Sequence, residues 1–261
     1  MPKLAANLSM LFPQLEFLDR FAAAAKAGFR AVEYQYPYDW QPADLAAAAR
    51  DARVEVLLHN MPQGDAQRGE RGTACLTGRE QRFRDDLERA IEYARVARCP
   101  NLHLMAGVVP EGADRAALHA TYVSNLKQAA RRLAREGMRA LIEPLSERTV
   151  ANCFLRSSAQ AARVLDDVAA DNVLIQYDFF HMQIMEGNLA STVERLLTRI
   201  GHIQLADVPG RHEPGTGEIN FDFLLRRLDA LGYSGWVGCE YNPEGDTLEG
   251  LTWARPYLQT G

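Results

Sequence analysis

Residues 173 to 187 read VLIQYDFFHMQIMEG. The stretch opens on Val173, Leu174 and Ile175 and runs, without a turn signal, into Gln176, Asp178 and His181. An apolar run that does not alternate with polar residues marks a strand covered on both faces, as in parallel sheets. Polar side chains at its far end then need a reason, because the carboxyl ends of parallel strands are where chemistry collects in α/β proteins. Asp178 and His181 are therefore the first site candidates. A strand ending in a solvated loop would look the same in isolation; what separates the two readings is recurrence of the pattern along the chain.

Working outward, similar runs occur at Lys3 to Met10, Ala31 to Tyr36, Val54 to Asn60, Asn101 to Ala106, Arg139 to Ser146, Gly201 to Val208 and Gly235 to Tyr241. Between them lie stretches with apolar residues at helical spacing: Gln14 to Ala27 with Gly28 as its stop, Pro42 to Ala52, one carrying Phe83, Leu87, Ile91 and Ala94, Asp114 to Glu136, Arg156 to Ala169, Leu189 to Arg199, Phe221 to Leu231 and Asp246 to Gln259. Eight strands alternating with eight helices make a repeat of about 33 residues, close to the ~30 of one βαβ step. Nothing in the sequence marks a linker, so residues 1–261 are expected to form one domain, an α/β protein built as a single (β/α)8 TIM barrel. Met61 to Gly78 (MPQGDAQRGERGTACLTG) is too long and glycine-rich for a plain connection, and loops of that kind in compact domains are commonly functional. A faint internal echo pairs Gly28-Phe29 leading to Val32-Glu33-Tyr34 with Gly232-Tyr233 leading to Cys239-Glu240-Tyr241.

The totals narrow the partners. With 29 basic against 34 acidic residues, the net charge of -5 offers no general attraction to phosphate backbones or anionic membranes, so neither nucleic acid nor a membrane is expected. The amino terminus lacks the apolar stretch of a signal peptide and no run is long enough to span a bilayer, which points to the cytoplasm. Cys75, Cys99, Cys153 and Cys239 lie far apart without a CxxC, so neither a thiolate metal site nor a disulfide framework is signalled. Homo-oligomerisation is left open.

In a closed barrel the strand ends share one mouth, and Glu143, Asp178, Gln204 and Glu240 fall in or at the ends of strands five to eight. Three carboxylates and a carboxamide would converge there. Unpaired carboxylates in a partly buried mouth repel one another, so either some are protonated or a cation sits among them. The plain alternative for each is a strand-end salt bridge, but four on consecutive strands favour a metal. An all-oxygen set without thiolate suits Mg²⁺ or Mn²⁺, with zinc still allowed. Gln204 is the weakest member, and Asp207 could replace it.

His181 would sit at the same rim, where a neutral imidazole can bond a substrate hydroxyl or carbonyl. His59, at the end of strand three, is a further substrate-binding candidate, and His103 could equally be core. Glu33, at the end of strand two, is read as structural because it lies away from the four-residue cluster. Arg71 (GERG) and Arg211 (PGRHEPGTGE) lie on long glycine-rich loops that could fold over the mouth, and a guanidinium suits a substrate carboxylate. Neither loop has nucleotide-binding glycine spacing.

The segments ANLSMLF (6 to 12), GERGTACLTGRE (69 to 80), IEPL (142 to 145), QYDFFHMQIMEG (176 to 187), HIQLADVPGRHEPGTGEINF (202 to 221) and GWVGCEY (235 to 241) together resemble the hydroxypyruvate isomerase family, within the xylose-isomerase-like TIM barrels. The resemblance implies a divalent metal held by Glu143, Asp178, Gln204 and Glu240, with Glu143 and Glu240 as the acid/base pair. It implies interconversion of hydroxypyruvate and tartronate semialdehyde, a small 2-oxo/3-hydroxy acid substrate class. Close relatives act on 2-oxo-tetronates, one carbon longer, and the motifs do not separate the two. Ketose 3-epimerases share this kind of site, and abasic-site endonucleases on related barrels form a competing class that the negative charge disfavours.

Overall fold

Each apolar run pairs with the next in chain order. The strands are β1 (Lys3–Asn7), β2 (Ala31–Tyr34), β3 (Glu55–Asn60), β4 (Asn101–His103), β5 (Arg139–Ile142), β6 (Val173–Asp178), β7 (Ile200–Leu205) and β8 (Trp236–Cys239). All neighbours are parallel, and β8 returns to β1, closing an eight-stranded barrel. The helices are α1 (Asp19–Lys26), α2 (Pro42–Ala52), α3 (Glu80–Ala97), α4 (Arg115–Ala134), α5 (Ser158–Val168), α6 (Phe179–Met185), α7 (Leu189–Leu196), α8 (Phe221–Ala230) and α9 (Thr247–Gly250). This computed structural model describes residues 1–65, 67 and 69–258. Among them, no helix is long and apolar enough to cross a membrane.

The period of two along each strand divides the side chains between two environments. On β6, Val173, Ile175 and Tyr177 join the large core shared with the helices, while Leu174, Gln176 and Asp178 take the opposite parity. Leu174 packs on a small separate cluster that includes Ala5, Ala31, Leu58 and Leu141, residues of inward parity on their strands. Each of several floor residues precedes a polar one by two positions: Ala5 before Asn7, Ala31 before Glu33, Leu141 before Glu143 and Leu174 before Gln176. The interior therefore changes from apolar to polar toward the carboxyl ends. Outside, α5 buries Ala161, Val164, Leu165 and Val168, the larger of which each gain about 1.5–3 kcal/mol from burial.

Several elements differ from expectation. Strands five and eight stop at Ile142 and Cys239, so Glu143 and Glu240 lie just beyond regular pairing. The α6 helix was not anticipated. It starts because Asp178 Oδ1 accepts the Phe180 N–H at 2.8 Å, so one side chain both ends β6 and caps a helix. Leu189 to Arg199 finishes as a 3₁₀ turn over Leu197–Arg199. The expected last helix is a short α9 followed by a 3₁₀ turn, Leu251–Ala254, and its Gln259 end lies outside the described residues, as do Ala66 and Arg68 of the long loop.

Candidate active site at the barrel mouth

Strand parity and strand ends bring the acidic residues together. Asp178 and Gln204 are register partners on β6 and β7. Glu143 and Glu240, from opposite sides of that pair, line one cavity of about 320 Å³ together with Arg71, His103, His181 and Arg211. That volume suits a small molecule. A larger cavity of about 580 Å³ between the loops after β3 and β4 is lined by Leu76, Val108, Pro110 and Leu118, and its Arg79 is committed to Glu70 at 2.6 Å. The titratable groups converge at the barrel mouth instead.

The three carboxylates are held unequally. Glu240 Oε1 accepts from Asn7 (3.2 Å) and Gln35 (3.1 Å), and its Oε2 accepts from Arg211 Nη2 at 2.9 Å. The same Arg211 nitrogen lies 3.7 Å from Asp178 Oδ2. Glu143 Oε1 and Asp178 Oδ2 are buried without a hydrogen-bond partner. Burial, with the charges of Glu240 and Asp178, pushes the Glu143 carboxyl far above the usual range. Burial raises Asp178 to about 7 against the pull of Arg211, and raises Glu240 likewise. Arg211 loses solvation too, but the surrounding carboxylates outweigh that and strengthen its charge. It lies 4.9 Å over the ring of Phe180, so α6 supports it.

His181 accepts the Ser146 N–H on Nδ1 at 3.3 Å, which leaves the proton on Nε2, 3.6 Å from Asp178 Oδ2. Burial first, then Arg211 and His103, keep the ring neutral. It is thus a neutral donor facing the mouth. Arg71 donates to Gln63 and to the Glu70 carbonyl and stands in the cavity wall.

Three readings need correction. His59 is not at the mouth: it is fully buried, bonded to the Asn60 carbonyl at 3.1 Å and stacked near Tyr34, because its parity on β3 turns it toward the helices. Glu33 does not lie away from the cluster. It points into the barrel and accepts Gln204 Nε2 at 2.8 Å. Asp207 cannot replace Gln204, since its two oxygens take the N–H groups of Val208, Gly215, Gly217 and Ile219 and so tie down the loop that carries Arg211. Gln204 is the fourth member in place but engaged: its Oε1 accepts from Gln176 at 2.6 Å. Sequence reading also missed Asn7, Gln35 and Asn60. His103, left open between site and core, lines the cavity 3.6 Å from Glu143 Oε2. The parity of strands one to four, followed as carefully as that of five to eight, would have exposed Asn7 and Glu33.

The residues present fit a divalent cation. Ligand-capable atoms of Glu143, Asp178 and His181 lie within 4.8 Å of one another. Two of the carboxylate oxygens lack partners, and one guanidinium does not balance three carboxylates. With His181 keeping its proton on Nε2, the carboxylates and an amide oxygen are the better donors, a hard-cation set.

Fold and site together define an α/β barrel with an acid-rich pocket at the carboxyl ends of its strands. The family model described as xylose isomerase-like TIM barrel matches residues 21–257, and the chain belongs to that family. It is 47% identical over 259 residues to a 2-oxo-tetronate isomerase of Pectobacterium atrosepticum, covering 99% of both chains. It is 45% identical to the hydroxypyruvate isomerase of Escherichia coli, covering 98% of this chain and 100% of that one. A solved structure from Brucella melitensis, described as an AP endonuclease of family 2, superposes with a TM-score of 0.97 at 43% identity over 99% of this chain and 100% of that one.

Proposed function

We propose that the chain is an isomerase that moves a carbonyl between adjacent carbons of a small 2-oxo/3-hydroxy acid, interconverting hydroxypyruvate and tartronate semialdehyde (2-hydroxy-3-oxopropanoate). The reading rests on one observation above all: Glu143 and Glu240 open onto the same small cavity but are held differently, one with its Oε1 left without a hydrogen-bond partner and one clamped by Arg211. Relatives of nearly the same length named hydroxypyruvate isomerase and 2-oxo-tetronate isomerase support it.

The chemistry follows from the carbon skeleton. A proton leaves the carbon next to the carbonyl, an enediolate forms, and a proton returns to the former carbonyl carbon. Two carboxyl groups on one cavity can take these two parts, in either order according to direction. Glu143, Asp178 and Glu240, with the Gln204 amide oxygen, are the residues that would hold a divalent cation, Mg²⁺ or Mn²⁺ by donor type. Such a cation, when bound, stabilises negative charge building on the two neighbouring substrate oxygens. Arg71 and Arg211 suit the substrate carboxylate, and His181 Nε2–H suits a hydroxyl or carbonyl oxygen.

A 2-oxo-tetronate is the second reading, favoured by the 47% identity to the Pectobacterium atrosepticum enzyme. The test is a screen of three-, four- and six-carbon substrates with and without chelator. Chelator-sensitive turnover of hydroxypyruvate or a 2-oxo-tetronate is expected. Turnover confined to six-carbon ketoses, or DNA binding at low salt in place of turnover, would contradict the proposal.

A further inference from the structure

Beneath the mouth lies a buried acid that the proposed chemistry does not use. Glu33 is fully buried, and three donors converge on it: Asn7 Nδ2 at 3.0 Å and Gln204 Nε2 at 2.8 Å on Oε1, and His202 Nε2 at 2.5 Å on Oε2. A carboxylate accepts from all three when His202 carries its proton on Nε2. The ladder shifts register between Val32 and Glu33 against β3, and between Ile175 and Gln176 against β7, irregularities of the kind that re-aim neighbouring side chains. On β8, a Cβ at Gly238 would run into the Glu33 carboxylate, so the strand that leads to Glu240 lies flush against this acid.

Two of the donors are shared with the mouth. The Asn7 amide that donates to Glu33 also donates to Glu240 Oε1 at 3.2 Å. The Gln204 amide gives its NH₂ to Glu33, which settles which end of that amide is nitrogen and turns its carbonyl oxygen away from Glu33, where it accepts from Gln176. An amide is otherwise free to present either end.

From this geometry we infer that Glu33 is a positioning residue: paired with His202, it sets the orientation of the Gln204 amide and, through Asn7, of the Glu240 carboxylate, so that both present oxygen toward a divalent cation. The inference rests on the metal-assisted reading above and adds a residue that touches neither cation nor substrate.

The test is calorimetric titration of Mn²⁺ alone into four chains: the unmodified protein, Glu33→Gln, Gln204→Glu, and the exchange variant Glu33→Gln/Gln204→Glu. Glu33→Gln keeps the volume but sets an NH₂ against one of the three donors. Its Mn²⁺ affinity should fall about 10- to 100-fold, as expected when a group that orients a metal ligand is lost. The exchange variant swaps donor and acceptor across the same contact and should gain more Mn²⁺ affinity over Glu33→Gln than Gln204→Glu alone gains over the unmodified protein, a non-additive recovery that an added carboxylate ligand would not produce. A folded Glu33→Gln that binds Mn²⁺ like the unmodified protein overturns the inference, and so does an exchange variant that shows no such recovery. If Glu33→Gln does not fold, the exchange variant decides: Mn²⁺ binding by it supports the role, and failure to fold or bind overturns it. Absence of Mn²⁺ binding by the unmodified protein would instead overturn the metal-assisted reading itself, and this inference with it.

Discussion

The guanidinium of Arg211 lies 2.9 Å from the Glu240 carboxylate, and that contact places a cation among acids that would otherwise repel one another. Arg211 is held for this by its backbone: its N–H donates to the Asp207 carbonyl and its own carbonyl accepts from Asn242, both at 2.9 Å. Removing one partner of a buried charge pair typically costs about 3–5 kcal/mol. Arg211→Ala should therefore destabilise the chelator-treated protein by about 3 kcal/mol in urea denaturation. Added Mn²⁺ should narrow that gap, because it neutralises the same carboxylates.

Glu240→Gln removes the proton-carrying ability of one member of the pair while keeping its shape. Loss of a positioned acid or base typically costs 10²–10⁴-fold in rate. Turnover of hydroxypyruvate should fall by at least about 100-fold, with far-ultraviolet circular dichroism unchanged.

His59 supplies a pH dependence away from the mouth. Burial lowers it to about 4, with the Asn60 carbonyl only partly opposing. A lowered histidine favours its neutral form in the fold, so the stability it contributes is present above the unfolded value near 6.5 and is lost as pH falls toward 4. The loss is on the order of 3 kcal/mol. Denaturation of wild type and His59→Gln across pH 4 to 7 should show a shallower acid limb for the variant.

Asp207 is expected to act on stability and on substrate binding together. Its two oxygens hold four N–H groups of the segment that carries Arg211. Asp207→Ala leaves those donors to find water and should cost at least about 2 kcal/mol. It should also raise KM for the acid substrate, since the arginine loses its anchor; thermal melting and steady-state kinetics read the two effects.

Periodicity and strand-end logic made the barrel legible, because eight βα units each carry their own apolar run and stop. The same logic placed Glu143, Asp178 and Glu240 at one mouth, since strands five, six and eight end in conspicuous acids. What escaped was what depends on contacts between distant strands. His59 and Glu33 look alike in sequence, each a polar residue late in an apolar strand, but the register shift between β2 and β3 and the parity around it send one toward the helices and the other into the barrel. The α6 helix escaped because its start is a side-chain cap by Asp178, a residue that reads as a strand end. Asp207 read as a candidate ligand because its four backbone partners lie up to twelve residues away and form only when the loop closes on it.

The central claim is that the three carboxylates at the ends of β5, β6 and β8 serve proton transfer only with a cation among them. Its most direct test is the rate of hydroxypyruvate isomerisation by protein stripped of metal, measured before and after Mn²⁺ is restored. The account predicts negligible turnover in the stripped protein and recovery on addition. Undiminished turnover by the stripped protein would contradict it.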